Sequence, residues 1–263
     1  MVKLSDRLMR LAAEVQPGDR AADIGTDHGL LPIFLWENGI ASHVILCDIN
    51  RGPLEKAREN IARFGADLSD LRQGDGLAPV SPGEVDTVII AGMGGILIAD
   101  ILRSGRQTAQ SCKRLVLQPR SKSEVLRRFL RENGYRIIRE SLVSERDEIC
   151  QVITAVPDAE QKGGGDFQIE SQPLADEVSP LLFQKGDPLL IPFLEKKIYI
   201  EETIIKRIEE STDLIKTEKN GGVYGADGGA GGEAGEERGR RLALARERLA
   251  VFSSLLRKAR EKR

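Results

Sequence analysis

Apolar positions in the first 160 residues switch repeatedly between two spacings. Leu4, Leu8, Leu11, Ala12 and Val15 recur at helical intervals until Pro17-Gly18 stops them. Short, nearly continuous apolar runs follow at 20–24, 43–48, 68–72, 85–90 and 114–118, and each reads as a buried strand. Between these runs, helical spacing occupies 29–38, 51–64, 94–105 and 121–133. Such alternation predicts an α/β fold with a mostly parallel sheet covered by helices on both faces. After Gly134 the pattern changes. Residues 135–143 and 148–156 are strand-like runs separated by Ser144-Glu145-Arg146-Asp147, the spacing of an antiparallel hairpin that closes the sheet.

A linker is expected at 157–167, where Pro157 is followed by Gly163-Gly164-Gly165. It divides the chain into 1–160 and 161–263. Beyond it, Leu194, Ile198, Glu201, Ile205, Ile208, Thr212 and Ile215 step by fours and threes, as do Leu242, Ala245, Leu249, Phe252, Leu256 and Ala259. Two heptad-like stripes joined by a turn-rich tract predict an antiparallel α-helical coiled-coil hairpin. Its first helix should begin near Pro188 or Pro192, because proline is tolerated in a first turn. The tract 220–235 is mostly glycine and small residues and reads as a flexible insertion.

Chemistry enters at the carboxyl tips of the expected strands. The first ends in Asp23-Ile24-Gly25-Thr26-Asp27-His28-Gly29 and the second in Cys47-Asp48-Ile49-Asn50. The third is followed by Gly74-Asp75-Gly76, and the fourth by Ala91-Gly92-Met93-Gly94-Gly95. A strand, a tight glycine turn, a helix and a second strand with an acid at its tip form a unit that holds an adenosine-type cofactor. The dinucleotide fingerprint needs three glycines around a pyrophosphate, whereas this turn keeps Gly25 and Gly29 and places Asp27 between them. A carboxylate repels a pyrophosphate and attracts a sulfonium and an amino-acid ammonium. The loop therefore suits S-adenosylmethionine (SAM). The set expected to line the cofactor is Asp23, Gly25, Thr26, Gly29, Asp48, Ile49, Asn50, Asp75, Gly76, Gly92 and Met93. Asp48 would take the ribose hydroxyls and Asp75 with Gly76 would bracket the adenine. Asp27 and His28 are the candidate catalytic groups. These residues alone also leave open a methyltransferase acting on a small molecule or protein, and a non-catalytic RNA-binding scaffold.

Composition narrows the setting. The chain has 263 residues, 40% apolar content and a formal net charge of −2. No apolar run approaches a membrane span and the N-terminus has no signal-peptide pattern, so a cytoplasmic protein is expected. Cys47, Cys112 and Cys150 lie in strand-like runs and read as buried free thiols. With only His28 and His43 to help, no metal site is expected. Residues 236–263 carry ten basic and four acidic side chains. Together with Lys113, Arg114, Arg120, Lys122, Arg127, Arg128 and Arg131, they make a candidate polyanion-binding surface.

A parallel sheet ending in an antiparallel hairpin resembles the class I SAM-dependent methyltransferase fold. More specifically, five segments resemble the bacterial tRNA adenine-22 N1-methyltransferase family. They are Leu4-Ser5-Asp6-Arg7-Leu8, the run from Asp23 to Pro32, Gly74-Asp75-Gly76-Leu77, Ala91-Gly92-Met93-Gly94-Gly95 and Leu117-Gln118-Pro119-Arg120. The resemblance covers nearly the whole chain, including the C-terminal helical pair. It implies methyl transfer from SAM to N1 of adenine 22 in tRNA, with Gln118, Arg120 and Lys122 on the RNA side. Two heptad stripes can pair within a chain or between chains, so a monomer or a weak homodimer is expected. The N-P-P-[YF] clamp of amino-methyltransferases sharing this fold is replaced here by Gly92-Met93-Gly94-Gly95, so the base must be held in another way.

Overall fold

A computed structural model describes residues 1–158, 176–221 and 230–262. Seven strands form one sheet. They are β1 (Asp19–Ile24), β2 (Ala41–Asp48), β3 (Leu71–Gln73), β4 (Thr87–Gly94), β5 (Arg114–Ser121), β6 (Tyr135–Glu145) and β7 (Glu148–Pro157). Their spatial order is β3-β2-β1-β4-β5-β7-β6. The first five pair in parallel, and β7 runs antiparallel to both β5 and β6. Strand order therefore reverses between β1 and β4, and a crevice opens there at the carboxyl ends of the strands.

The central strands are apolar throughout because both faces are covered. Side chains alternate across the sheet. Val88 and Ile90 of β4 and Leu115 and Leu117 of β5 join one core with Ile98, Leu102, Leu126 and Leu130. Those four belong to α4 (Gly95–Ser104) and α6 (Ser123–Glu132). Ile89 and Val116 point the other way and join Leu11, Leu35, Ala57 and Ile61. These come from α1 (Asp6–Ala12), α2 (Leu30–Glu37) and α3 (Arg51–Phe64). Ser5 starts α1, its hydroxyl accepting from the Leu8 amide at 3.5 Å. The parallel sheet, the terminal hairpin and the helices flanking them follow the periodicity read from the sequence.

Several details differ from that reading. A short helix, α5 (Arg106–Ser111), precedes β5, and Cys112 lies in the bend after it rather than in a strand. Cys47 and Cys112 are buried free thiols, and burial pushes both up to about 12; Cys150 is free and half-buried. The β6–β7 turn is shorter than expected, because Ser144 and Glu145 continue the ladder opposite Ile149 and Glu148. Positive φ at Arg146 closes this two-residue turn. Strand β4 runs on through the glycine tip to Gly94 instead of stopping at Ile90.

The basic stretch is largely consumed inside the fold. Lys113 pairs with Asp86 at 3.1 Å, and Arg114 approaches Asp19 at 4.0 Å. Arg127, only 4% exposed, bonds the fully buried carboxylate of Glu140 and the Asp176 carbonyl at 2.7 Å. Arg128 and Arg131 both reach the Asp176 carboxylate. Burial pushes that carboxyl up, but the two guanidiniums outweigh it and hold it below its usual range. Their charge is therefore spent on anchoring residue 176, which a one-dimensional count of basic residues does not reveal.

The chain forms two compact units, Met1–Asp187 and Pro188–Arg263. The expected boundary near 160 and most of the linker at 157–167 lie outside the described residues. Within the first unit, Ser179 caps α7 (Pro180–Lys185), which places Leu182 in the core, and Asp187 accepts from the Leu142 amide at 3.0 Å. The second unit is a pair of long helices, α8 (Leu190–Gly221) and α9 (Ala230–Glu261). Stripe residues Leu194, Glu201, Ile208, Ala245, Phe252 and Ala259 are all buried. Glu201 meets Arg248 at 3.1 Å, and Lys197 lies 5.0 Å from the Phe252 ring centre. The side chain of Ile215 and residues 222–229 lie outside the described residues. Both ends of the tract expected to be flexible are helical instead, since α8 reaches Gly221 and α9 starts at Ala230.

Removing the positive partner of a fully buried carboxylate leaves a bare charge in the core. Arg127→Met should therefore lower unfolding stability by about 3–5 kcal/mol, read from the midpoint of urea denaturation at pH 7.

Candidate functional site

A cavity of about 560 Å³ opens where the tips of β1, β2 and β4 meet the loop after β3. The strand-tip residues expected to line a cofactor all reach it: Asp23, Gly25, Thr26 and Gly29 from the first tip; Asp48, Ile49 and Asn50 from the second; Asp75 and Gly76 from the third; and Gly92 and Met93 from the fourth. Asp27, His28 and Arg120 also line it.

Backbone bonds fix the first tip. The amides of Gly25 and Thr26 both donate to the Cys47 carbonyl, at 2.8 and 2.9 Å, so the turn is stapled to the end of β2. Gly25 has φ +80, and a Cβ there would lie 2.2 Å from the Met93 methyl. The positive φ favours glycine there, and any side chain would also have to displace the Met93 methyl. At the second tip, Asp48 Oδ1 accepts from the Asn50 amide at 2.7 Å. This bond shapes the turn that leads into α3. The Gly74 amide donates to the Asp48 carbonyl at 3.0 Å, and the Gln73 side chain donates to the Ile49 carbonyl at 3.2 Å. The second and third tips are thus locked together, with Asp75 exposed beside them.

The electrostatics are dominated by acids. Asp23 is 8% exposed. Burial pushes its carboxyl up to about 6; Asp48 adds to the rise, while Thr26 and Arg7 oppose it. Although the Thr26 hydroxyl favours the ionised form of Asp23, its Oγ1 is buried and meets no partner at hydrogen-bonding geometry among the described residues. This hydroxyl is left over for a ligand, since a buried polar atom seldom goes unpaired. A cavity with a desolvated carboxylate, three further acids and a spare hydroxyl fits a cationic, hydroxyl-rich ligand. Asp27 and His28 approach each other at 3.1 Å on the exposed rim. Among the described residues no cluster of His, Cys, Asp and Glu is placed to hold a metal ion.

The three residues expected on the RNA side separate. Arg120 is exposed and lines the cavity. Lys122 is exposed at the start of α6, outside the lining, 3.7 Å from Glu124. Gln118 is 1% exposed. Its amide is engaged within the protein, accepting from the Gly92 amide at 3.1 Å and from Arg7 Nη1 at 3.3 Å. It is not an RNA-surface residue.

Nine further residues line the cavity beyond the expected site residues, among them Arg7 and Leu8 from α1 and Leu97 and Ile101 from α4. Arg7 had a signal. It falls three residues after Leu4 and four before Leu11, so it shares the inward stripe of α1, where a charge is out of place unless it has partners. Arg7 Nε donates to Glu145 at 2.6 Å.

Residues 4–153 match a family described as a methyltransferase domain. A tRNA (adenine(22)-N(1))-methyltransferase from Bacillus subtilis is 32% identical over 222 residues, 83% of this chain and 90% of the relative. The crystal structure of the B. subtilis m1A22 tRNA methyltransferase TrmK superposes with a TM-score of 0.75 at 27% identity, covering 97% of this chain and all of that one. Mycoplasma capricolum TrmK, solved with S-adenosyl-homocysteine, gives 0.67 at 25% identity over 95% and 99% of the two chains. Streptococcus pneumoniae Sp1610 in complex with S-adenosyl-L-methionine gives 0.70 at 26% identity over 94% and 100%. With its sheet order, its acid-lined crevice and its sequence similarity in agreement, the chain belongs to the tRNA (adenine(22)-N(1))-methyltransferase family.

Proposed function

We propose that this protein transfers a methyl group from SAM to N1 of adenine 22 in tRNA. The observation that carries the reading is the run of carboxylates at successive strand tips, with Asp23 held out of water among them. A diphosphate cofactor would be repelled there, whereas a sulfonium and an ammonium are attracted. SAM supplies an already activated electrophilic methyl group. The protein's own work is therefore to bind, orient and exclude water.

Asp48 takes the ribose hydroxyls, and its Oδ1 bond to the Asn50 amide pre-sets its direction. Asp75 and Gly76 flank the adenine of the cofactor, and Ile49, 57% exposed at the rim, supplies an apolar contact. Asp23 and the Thr26 hydroxyl face the amino-acid end. N1 lies on the Watson–Crick edge, so the target base must be unpaired and turned outward. Methylation leaves the ring cationic, and Asp27 on the rim is a carboxylate available to offset that charge. His28 holds Asp27 in place. Arg120, which has no ion pair among the described residues, contacts phosphate, with Lys122 further out.

The second unit gives additional grip. Arg246, Arg248 and Arg260 are tied to Glu209, Glu201 and Glu195, which leaves Arg241, Arg257 and Lys258 exposed for RNA. The two stripes pair α8 with α9 within one chain, so a monomer or weak homodimer suffices. Among the described residues no helix is long and apolar enough to cross a membrane. The substrate is cytoplasmic, and so is the protein.

Unmodified tRNA incubated with the protein and labelled SAM should acquire one N1-methyladenosine at position 22, mapped by nuclease digestion and mass spectrometry; label on a guanine would overturn the assignment. Asp48→Ala should weaken SAM binding by about 1.5–3 kcal/mol, the value of a hydrogen bond to a charged group, with the helix and strand content of the apo protein retained. Calorimetry reads the first quantity and circular dichroism the second. Asp23 is neutral below about pH 6 and ionised above it. SAM affinity should therefore fall as pH drops from 7 to 5, and Asp23→Asn should flatten that dependence. The same raised carboxyl makes the apo protein lose stability as pH rises from about 4 to about 6.

A further inference from the structure

Near its end, β4 departs from regular pairing with β5. Ala91 lies opposite Gln118, Met93 opposite Pro119 and Gly94 opposite Ser121, so Gly92 is an extra residue pushed out of the ladder. Pro119 has no amide to offer there. Gly92 has φ +78, and a Cβ built on it would meet nothing within 4 Å. It borders the cavity. A displaced glycine with open space beside it is mobile unless something holds its peptide group.

What holds it is a chain of side chains reaching back through the fold. Gln118 Oε1 accepts from the Gly92 amide at 3.1 Å and from Arg7 Nη1 at 3.3 Å. Arg7 Nε donates to Glu145 Oε2 at 2.6 Å. Glu145 is the last residue of β6, and Arg7 sits on α1. Gln118 is buried, and its oxygen links Arg7 to the Gly92 amide. Resting on the methyl-transfer reading above, we propose that Gln118, braced by Arg7 and Glu145, is a positioning residue. It fixes the Gly92–Met93 bulge so that the target base and the methyl donor meet in line. This rigid bulge takes the place of the proline-rich clamp that the chain lacks. Because in-line transfer is sensitive to displacements on the ångström scale, loosening the bulge slows the transfer step more than it weakens binding.

The test compares Gln118→Met, which keeps the volume and removes the acceptor, with Gln118→Glu, which keeps an acceptor for both donors. Gln118→Met should lower kcat for tRNA by about tenfold to a hundredfold, while the KM for tRNA and the SAM dissociation constant stay near the wild-type values. Gln118→Glu should recover most of kcat. In the apo protein, amide hydrogen exchange at Gly92 should speed up in Gln118→Met and stay slow in Gln118→Glu. Arg7→Met should show the same split in weaker form and is the second variant if Gln118→Met does not fold. Arg7 also acts on Asp23, so the Gln118 pair remains the cleaner comparison. A wild-type kcat in Gln118→Met overturns the proposal, as does a parallel loss of SAM affinity or a Gln118→Glu protein as slow as Gln118→Met. A wild-type chain that methylates no tRNA overturns the activity instead, and the exchange measurement still decides whether the clamp exists.

Discussion

The site depends on one costly arrangement: a carboxylate almost out of water at the end of the central strand. Asp23 is placed there because β1 is the innermost parallel strand, with β2 on one side and β4 on the other. Ile24 lies opposite Cys47 of β2 and Ile90 of β4, so the three strand tips converge on a single crevice. Burial favours the neutral acid, and the nearby Asp48 reinforces that preference. A folded protein retains such a group when a ligand of opposite charge offsets the penalty. The cationic methyl donor of this family meets that requirement.

Around this carboxylate the backbone is stiff. The Cys47 carbonyl receives two amides from the first turn, Asp48 closes the second, and the Gly74 amide ties the third tip to the second. Met93 packs where a Gly25 side chain would otherwise be, so the first and fourth tips are also interlocked. The cavity is thus assembled from loops that brace one another on a rigid sheet. That is what a reaction governed by alignment demands. The chemistry asks little of any single side chain, which accounts for Asp27 and His28 lying on an exposed rim instead of in a buried dyad.

Buried ion pairs elsewhere serve architecture. Arg127 with Glu140, and Asp176 with Arg128 and Arg131, fasten the segment after the hairpin to α6 and β6. Glu14 likewise joins α1 to the sheet through Thr154 at 2.9 Å, with Arg10 at 2.6 Å. Arg7, Arg20 and Arg72 of the first unit are also paired with carboxylates. Arg120 lines the cavity, and Arg241, Arg257 and Lys258 of α9 are exposed.

Much of this was legible in the sequence, because periodicity and glycine placement are local properties. The alternation of apolar runs dictated strands and helices, continuous apolar runs implied a sheet covered on both faces, and acids between glycines marked the strand tips. The heptad stripes likewise announced two paired helices. What the one-dimensional pattern could not carry was partnership across distance. Gln118 and Arg120 are two residues apart at the end of one strand, yet one faces inward to Gly92 and the other outward to the cavity. Arg127 and Arg131 read as free charges until Glu140 and Asp176 meet them. Arg7 becomes part of the site only when Glu145 and Gln118 are brought to it, 138 and 111 residues away along the chain. Local sequence sets which segments are helix or strand; the folded packing alone decides which charges are spent inside and which remain for a ligand.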